Sequence, residues 1–445
     1  MTGCAGPAPV SAPPEAALPD RPSLPGQGAA LEPGPVHQSN RDIADDFVDL
    51  VFHPEGGREL PRLLRFEGRI RVGLVGAGLA AHTGELEALL ARVRREAGLD
   101  IARAERAEAA EIRVTEAPRR QMLELFPSAQ CFVVPRHYGW GEFAIALRRN
   151  ELPDWAALEA LREATVFVPS AARPIEIREC FQEEIAQALG PANDLFRLPE
   201  TVFNDDNVHA NLTRFDMLIL RVLYDPRLAP GMGREAARRA AREVLAEINP
   251  AGRDLARRRG LRPAPEWEAI MARLYRGGLS RAERRQALRE ALRIAETVPQ
   301  PDHRLALTLD MLAEAEYAER PELSEGLLRR ALDSLLAHYP RDDLRVAAIR
   351  LHLAQTKLRL GRPQLGLDLA EAALPVFVAY DEPLRIAQCY QLRAIALSAL
   401  GRVEEARASA LEGDRWARLA LGEAWATPGP VRRGFDFLEA LRLGS

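Results

Sequence analysis

Cys180-Phe-Gln-Glu183-Glu184-Ile-Ala-Gln187-Ala-Leu189-Gly190, with Asn193-Asp194 just behind it, is the stretch on which the reading of this chain turns. Pro174 at a first turn, acidic residues soon after it and Gly190 beyond the last apolar residue mark a helix over about 174–189. Side chains four apart share a helix face, so Glu183 and Gln187 project together. Upstream, Arg69-Ile-Arg-Val-Gly-Leu-Val75 alternates as a half-buried strand does. A helix from Thr83, its expected N-cap, then carries Leu86, Leu89, Leu90 and Val93 on one face. Short strands are expected at Ile112–Val114, Cys131–Val134 and Thr165–Val168. Downstream, Thr213 and Asp216 form a capping-box pair ahead of Leu218, Leu220 and Leu223. The stretch therefore belongs to an α+β domain, bounded at 39–250.

After a linker over 251–277, residues 278–425 read as helix after helix with an internal repeat. Leu344-Arg-Val-Ala347 recurs as Leu384-Arg-Ile-Ala387, Leu360-Gly361-Arg362 as Leu400-Gly401-Arg402, and Ala354 and Ala370 as Ala394 and Ala410, each forty residues on. Gly326-Leu327 and Gly366-Leu367 extend the same offset backwards. Two helices per unit, Gly-Arg at the hinge and alanine where helices touch describe an all-α solenoid that resembles the tetratricopeptide class. Such stacks present a surface for a protein or peptide partner.

The 445 residues suffice for two or three folded units, and 47% apolar with 28% charged residues is globular composition. Sixty basic against 64 acidic side chains, net −4, exclude a polybasic nucleic-acid or membrane-surface binder. Lys357 is the only lysine, and the arginine bias fits a GC-rich coding sequence. Arg238, Arg239, Arg257, Arg258 and Arg259 are interspersed with Glu235, Glu243, Glu247 and Asp254, as on a solvated helix surface. Residues 1–38 are Pro, Ala and Gly with few large apolar side chains, the composition of an extended tether, and 426–445 form a C-terminal tail. Thr2-Gly3-Cys4 resembles the end of a bacterial lipoprotein signal. Lipidation at Cys4 would anchor the protein in the periplasm or envelope, and a cytoplasmic location is the alternative.

The order Glu183-Glu184-x-x-Gln187-x-Leu189-Gly190, Asn193, Phe203, Leu212-Thr213-x-x-Asp216 and Leu223-Tyr224 resembles the metzincin proteases of the matrixin type. In that class a helix bearing His-Glu-x-x-His precedes a third histidine and a Met-containing turn. Glu183, Gln187 and Asn193 fall at the three histidine positions, Glu184 at the general-base glutamate and Phe203 near the turn. The same elements, with Tyr224-Asp225-Pro226 and Gly231-Met232, resemble the uncharacterised proteobacterial family known as domain of unknown function 2927 over about 170–240, extending more weakly back to about 60. The fold implied is a zincin-like α+β domain, and no activity comes with the family.

Zinc sites are built from imidazole and thiolate, whereas Glu, Gln and Asn are oxygen donors, two of them neutral. No metal and no cofactor are therefore expected. Glu183, Gln187, Asn193 and Asp194 then line a cleft or form a buried network, and Glu184 is the single candidate catalytic residue. Gly76-Ala-Gly78 after a strand imitates a dinucleotide fingerprint, but no second strand ending in a carboxylate follows, so it reads as a strand-to-helix loop. Cys131 and Cys180 are either a disulfide, worth roughly 4 kcal/mol in the chain-entropy model and stable only in an oxidising compartment, or two separate buried thiols. Cys389 sits at an apolar repeat position. The function expected is a non-catalytic protein-binding or scaffold protein of the envelope, a pseudo-metalloprotease. The alternative is an unusual metal-dependent or metal-free hydrolase using Glu184.

Overall fold

The computed structural model describes residues 36–426 apart from 37, 55–56, 128–129, 205–207, 257–263 and 298–301. Cys4 with its tether, the tail from 427 and the arginines 257–259 lie outside the described residues.

The first domain is built as α1 (Asn40–Phe52), β1 (Ile70–Val75), α2 (Ala77–Ala80), α3 (Thr83–Ala97), β2 (Ile101–Arg103), β3 (Ile112–Ala117), α4 (Arg119–Leu125), β4 (Phe132–Val134), α5 (Trp140–Arg148), β5 (Ala164–Pro169), α6 (Pro174–Ala188), α7 (Arg214–Leu223) and α8 (Arg234–Ile248). The sheet runs β2-β1-β3-β5-β4. All pairings are parallel except that of the edge strand β4 with β5, where Val133 lies opposite Val166. Strand β5, apolar except for Thr165, is buried along its whole length, as an interior strand of such a sheet requires. The α+β expectation thus becomes a largely parallel α/β sheet. Its missing piece was β2, whose three residues are too short for a readable alternation. The N-cap of α3 is His82 rather than Thr83, because the chain has already turned through α2.

The ends of this domain meet. Asn40 Nδ2 donates to the carbonyls of Leu245 and Asn249 at 3.1 and 3.0 Å, and Asn249 Nδ2 returns a bond to Asn40 Oδ1 at 2.8 Å.

The second part is helical: α9 (Pro265–Tyr275), α10 (Arg281–Thr297), α11 (His303–Tyr317), α12 (Pro321–Leu336), α13 (Leu344–Arg359), α14 (Pro363–Ala379), α15 (Pro383–Ala399), α16 (Val403–Leu421) and the short α17 (Glu423–Ala426). The span expected as linker contains α9, whose Trp267, Met271 and Leu274 are buried in the same apolar cluster as α10–α12. Three-residue connections between packed neighbours force α13, α14, α15 and α16 to run antiparallel in turn. The hinges repeat one geometry. Gly361, Asp381 and Gly401 have φ of 70°, 56° and 76°, and the residue after each donates its N–H back to Lys357, Phe377 or Leu397 at 2.8–2.9 Å. This left-handed closure satisfies the last carbonyls of each helix. It explains why glycine recurs at two of the three hinges.

Candidate functional site

Helix α6 is anchored at both ends. At its start the Glu176 carboxylate accepts the Arg173 backbone N–H at 2.7 Å and pairs with the Arg173 and Arg119 guanidinium groups at 2.7 and 2.8 Å. Burial pushes its carboxyl up, but Arg173 outweighs this and holds it below the usual glutamate range. Further along, Cys180 is bonded to Cys131, which precedes β4, with Cα atoms 5.8 Å apart. At its end Gly190 has φ 139°, and a Cβ there would stand 2.7 Å from Leu223 Cδ2 and 3.0 Å from the Leu64 carbonyl. Only glycine fits that crossing.

The residues singled out in the sequence are distributed as follows. Gln187 is buried, and its Nε2 donates to Asp194 at 2.9 and 3.2 Å. Asn193, next in the chain, donates its Nδ2 to the Asp49 carbonyl of α1 at 2.9 Å. That part of α1 is itself held by Arg197, which pairs with Asp46 and with Asp49, the latter at 2.8 Å. Glu184 is 5% exposed and faces inward. Glu183 is half-buried and lines a narrow groove with Glu179, Gln182, Val202, Asn204, His209 and Ala210. The structure thus brings Gln187 and Asp194 together, ties Asn193 to α1, and sets Glu183 in the groove.

Glu179 and Gln182 come from α6 like Glu183, and the groove's other members come from the loop between α6 and α7. Asn204 Nδ2 donates to the Leu198 carbonyl at 2.7 Å, and His209 Nε2 lies 3.1 Å from the Pro199 carbonyl, which requires the Nε2–H tautomer. Burial lowers the His209 pKa, so the ring is neutral near pH 7. The loop is pinned to α7 through Asp216, which accepts from Thr201 Oγ1, from Val202 N at 3.3 Å and from Thr213 N at 2.6 Å. Burial pushes the Asp216 carboxyl up to about 6 despite these bonds.

The helical part closes on this same surface. Ala210 N donates to Glu382 at 3.4 Å, Asn211 Nδ2 to the Tyr380 carbonyl at 3.2 Å, and Arg178 pairs with Glu85 at 2.8 Å and Asp381 at 3.3 Å. Arg345 donates to the Pro199 carbonyl at 2.6 Å and pairs with Glu200 and Asp343, while His303 donates to the Phe196 carbonyl at 2.7 Å. Ile175 of α6 is packed into the helical core. Glu179, on α6, and Glu382, at the start of α15, face this junction. Burial pushes the Glu179 carboxyl up to about 7, with the Glu382 and Glu176 charges adding to it against Arg173 and Arg385. Glu382 also rises to about 7 through burial, against Arg385, the Ala210 N–H and Arg178.

Sequence reading missed Glu179, Gln182, Asn204, His209 and Glu382. Glu179 could have been found, because it precedes Glu183 by one helical turn. Glu382 could not, since nothing local links it to α6.

Gln187 and Asn193 spend their amide N–H groups on protein oxygens. The set Glu183, Gln187 and Asn193 offers one carboxylate and two neutral amide oxygens, which does not fit the preference of a zinc ion for imidazole and thiolate donors. Among the described residues no group of three His, Cys, Asp or Glu side chains is arranged to hold a metal. Gly76 and Gly78 offer no phosphate cradle, because a Cβ on either would lie 2.3 or 2.2 Å from the Glu116 carboxylate that rests on this loop.

Fold and site define a two-part protein, an α/β domain whose long helix and following loop are docked onto a helical stack. Residues 40–243, from α1 into α8, match the family described as Protein of unknown function (DUF2927), and the first domain is similar to that family over this span. The match confirms the resemblance carried by Cys180–Asp194 and extends it towards the N-terminus. No curated protein matches the chain. Among the described residues no helix is long and apolar enough to cross a membrane.

Proposed function

We propose that this is a non-catalytic protein-binding or scaffold protein of the bacterial envelope, in which a metzincin-like domain without zinc histidines is joined to tetratricopeptide-like repeats. The observation that carries the reading is the use of Gln187 and Asn193 as hydrogen-bond donors to Asp194 and to the backbone of α1. Side chains at the positions where the resemblance places metal ligands serve as struts, and their neutral amide oxygens are weak donors to zinc. The hinge geometry recurring at Gly361, Asp381 and Gly401 supports the repeat assignment. The Cys131–Cys180 bond supports an oxidising compartment, since the cytosol keeps thiols reduced. A lipid anchor at Cys4 would hold the protein to the membrane, with the Pro-rich segment as spacer.

Elemental analysis and a protease assay test this together. The purified chain should carry no stoichiometric metal, and chelators should leave its melting temperature unchanged. Glu184→Gln should alter no hydrolytic rate. One metal per chain, lost with a peptidase activity when Glu184 is changed, would overturn the reading in favour of a hydrolase. For location, an in-frame stop codon immediately before Met1 would defeat the lipoprotein assignment, and a basic then apolar stretch ending at Cys4 would support it.

A further inference from the structure

A second groove, of about 340 Å³, opens on the helical stack away from α6. Leu353 of α13 and Leu365 and Leu369 of α14 line it, together with Arg329 of α12, Lys357 of α13 and Asp368 of α14. Leu369 packs against both apolar clusters of the helical part, so the groove marks the seam between them. Leu365 leaves 48% of its surface in water, a cost that a partner's apolar side chain would remove.

The charges here are unbalanced. Glu325 accepts from Lys357 at 2.5 Å and from Arg362 at 3.0 Å. Lys357, then Arg362 and Arg329, hold its carboxyl below the usual range. Three cations (Arg329, Lys357, Arg362) thus stand against two carboxylates (Glu325, Asp368). Asp368 is engaged by Gln364 at 2.7 Å. Arg329 is exposed and makes no ion pair among the described residues.

We propose that this groove docks a partner protein's peptide segment carrying a large apolar side chain beside a carboxylate. The apolar group enters among Leu353, Leu365 and Leu369, and the carboxylate takes the planar fork of Arg329. A basic segment would meet a lining with one cation in excess, and a nucleic acid would find leucines where it needs further phosphate contacts. The inference deepens the binding-protein reading and rests on it for its biological sense. Its test reads the groove alone, so a hydrolase activity at α6 would leave it standing.

The test is fluorescence anisotropy of the full chain with a fluorescein-labelled peptide, Ser-Gly-Asp-Leu-Phe-Asp-Leu-Gly-Ser, and with its twin bearing Asn for Asp. The acidic peptide should bind at least tenfold tighter than the twin, and salt should weaken it. Arg329→Glu and Leu365→Asp, both at exposed positions, should each lower its affinity tenfold or more with unchanged melting temperature. Equal binding of the two peptides, or no loss in either variant, would overturn the proposal. Binding that emerges only after deletion of residues 427–445, which contain Phe435-Asp-Phe-Leu-Glu439, would also overturn it, since the groove would then serve the chain's own terminus.

Discussion

Gln187 is buried with its amide nitrogen on both oxygens of Asp194, so its removal leaves a half-buried carboxylate short of a donor. Gln187→Leu should destabilise the domain by about 1–3 kcal/mol, the cost of a buried polar partner left unmade, as urea titration would measure. An unchanged midpoint would mean that water replaces the amide. Thr213 and Asp216 show the opposite case at the same scale. Their capping box was readable from spacing alone, because an N-cap bond spans three residues and needs nothing else. That Asp216 also holds Thr201 was not readable, since the partner lies fifteen residues back across an irregular loop.

Helix α6 depends on its two attachments. Gly190→Ala should cost roughly 1–3 kcal/mol, because its φ of 139° is strained for any Cβ and the new methyl meets Leu223 and a backbone carbonyl. Thermal denaturation would measure this. At the other attachment, the Cys131–Cys180 bond spans a sequence separation of 49 and is worth about 4 kcal/mol in the loop-entropy account. Adding reductant should therefore lower the melting temperature. Before reduction, alkylation should reach neither Cys131 nor Cys180, and buried Cys389 should label only after unfolding. Labelling of Cys131 in protein taken from the oxidising compartment would contradict the bond. The strands β1, β3, β4 and β5, the helices α3, α6 and α7 and the forty-residue repeat were legible because apolar periodicity marks elements of sufficient length. The three residues of β2 and the helix α9, hidden in a Pro- and Arg-rich stretch, gave no such pattern.

Across the whole molecule, the two parts share a junction that holds two buried carboxyls. Glu179 and Glu382 are both raised from 4.5 to about 7 by burial. A carboxyl raised on folding stabilises the fold fully below its unfolded pKa, and that contribution is lost as pH rises through the folded value. Between about pH 4.5 and pH 7 the junction should therefore weaken. Glu382→Gln should match the parent at pH 5 and exceed it by about 1–3 kcal/mol at pH 8. Melting curves at the two pH values decide it, and a constant difference between variant and parent would refute it. Arg385 on α15 itself, Arg178 from α6 and Asp381 at the hinge face Glu382, and they set the size of the effect.

The sequence by itself determined the order of most elements, the family resemblance of the first domain and the forty-residue repeat of the second. These properties rest on periodicity, capping and motif spacing, which act over a few residues. Only the tertiary structure decided what the singled-out side chains do. Gln187 meets Asp194, Asn193 meets α1, and Glu183 shares a groove with His209, because loop and helix fold over one another. It also decided that Glu382 and Arg345 of the helical stack close on α6 and its loop, more than a hundred residues away in the chain. Contacts at that separation arise from apolar burial and buried charge pairing between surfaces, and no local pattern encodes them.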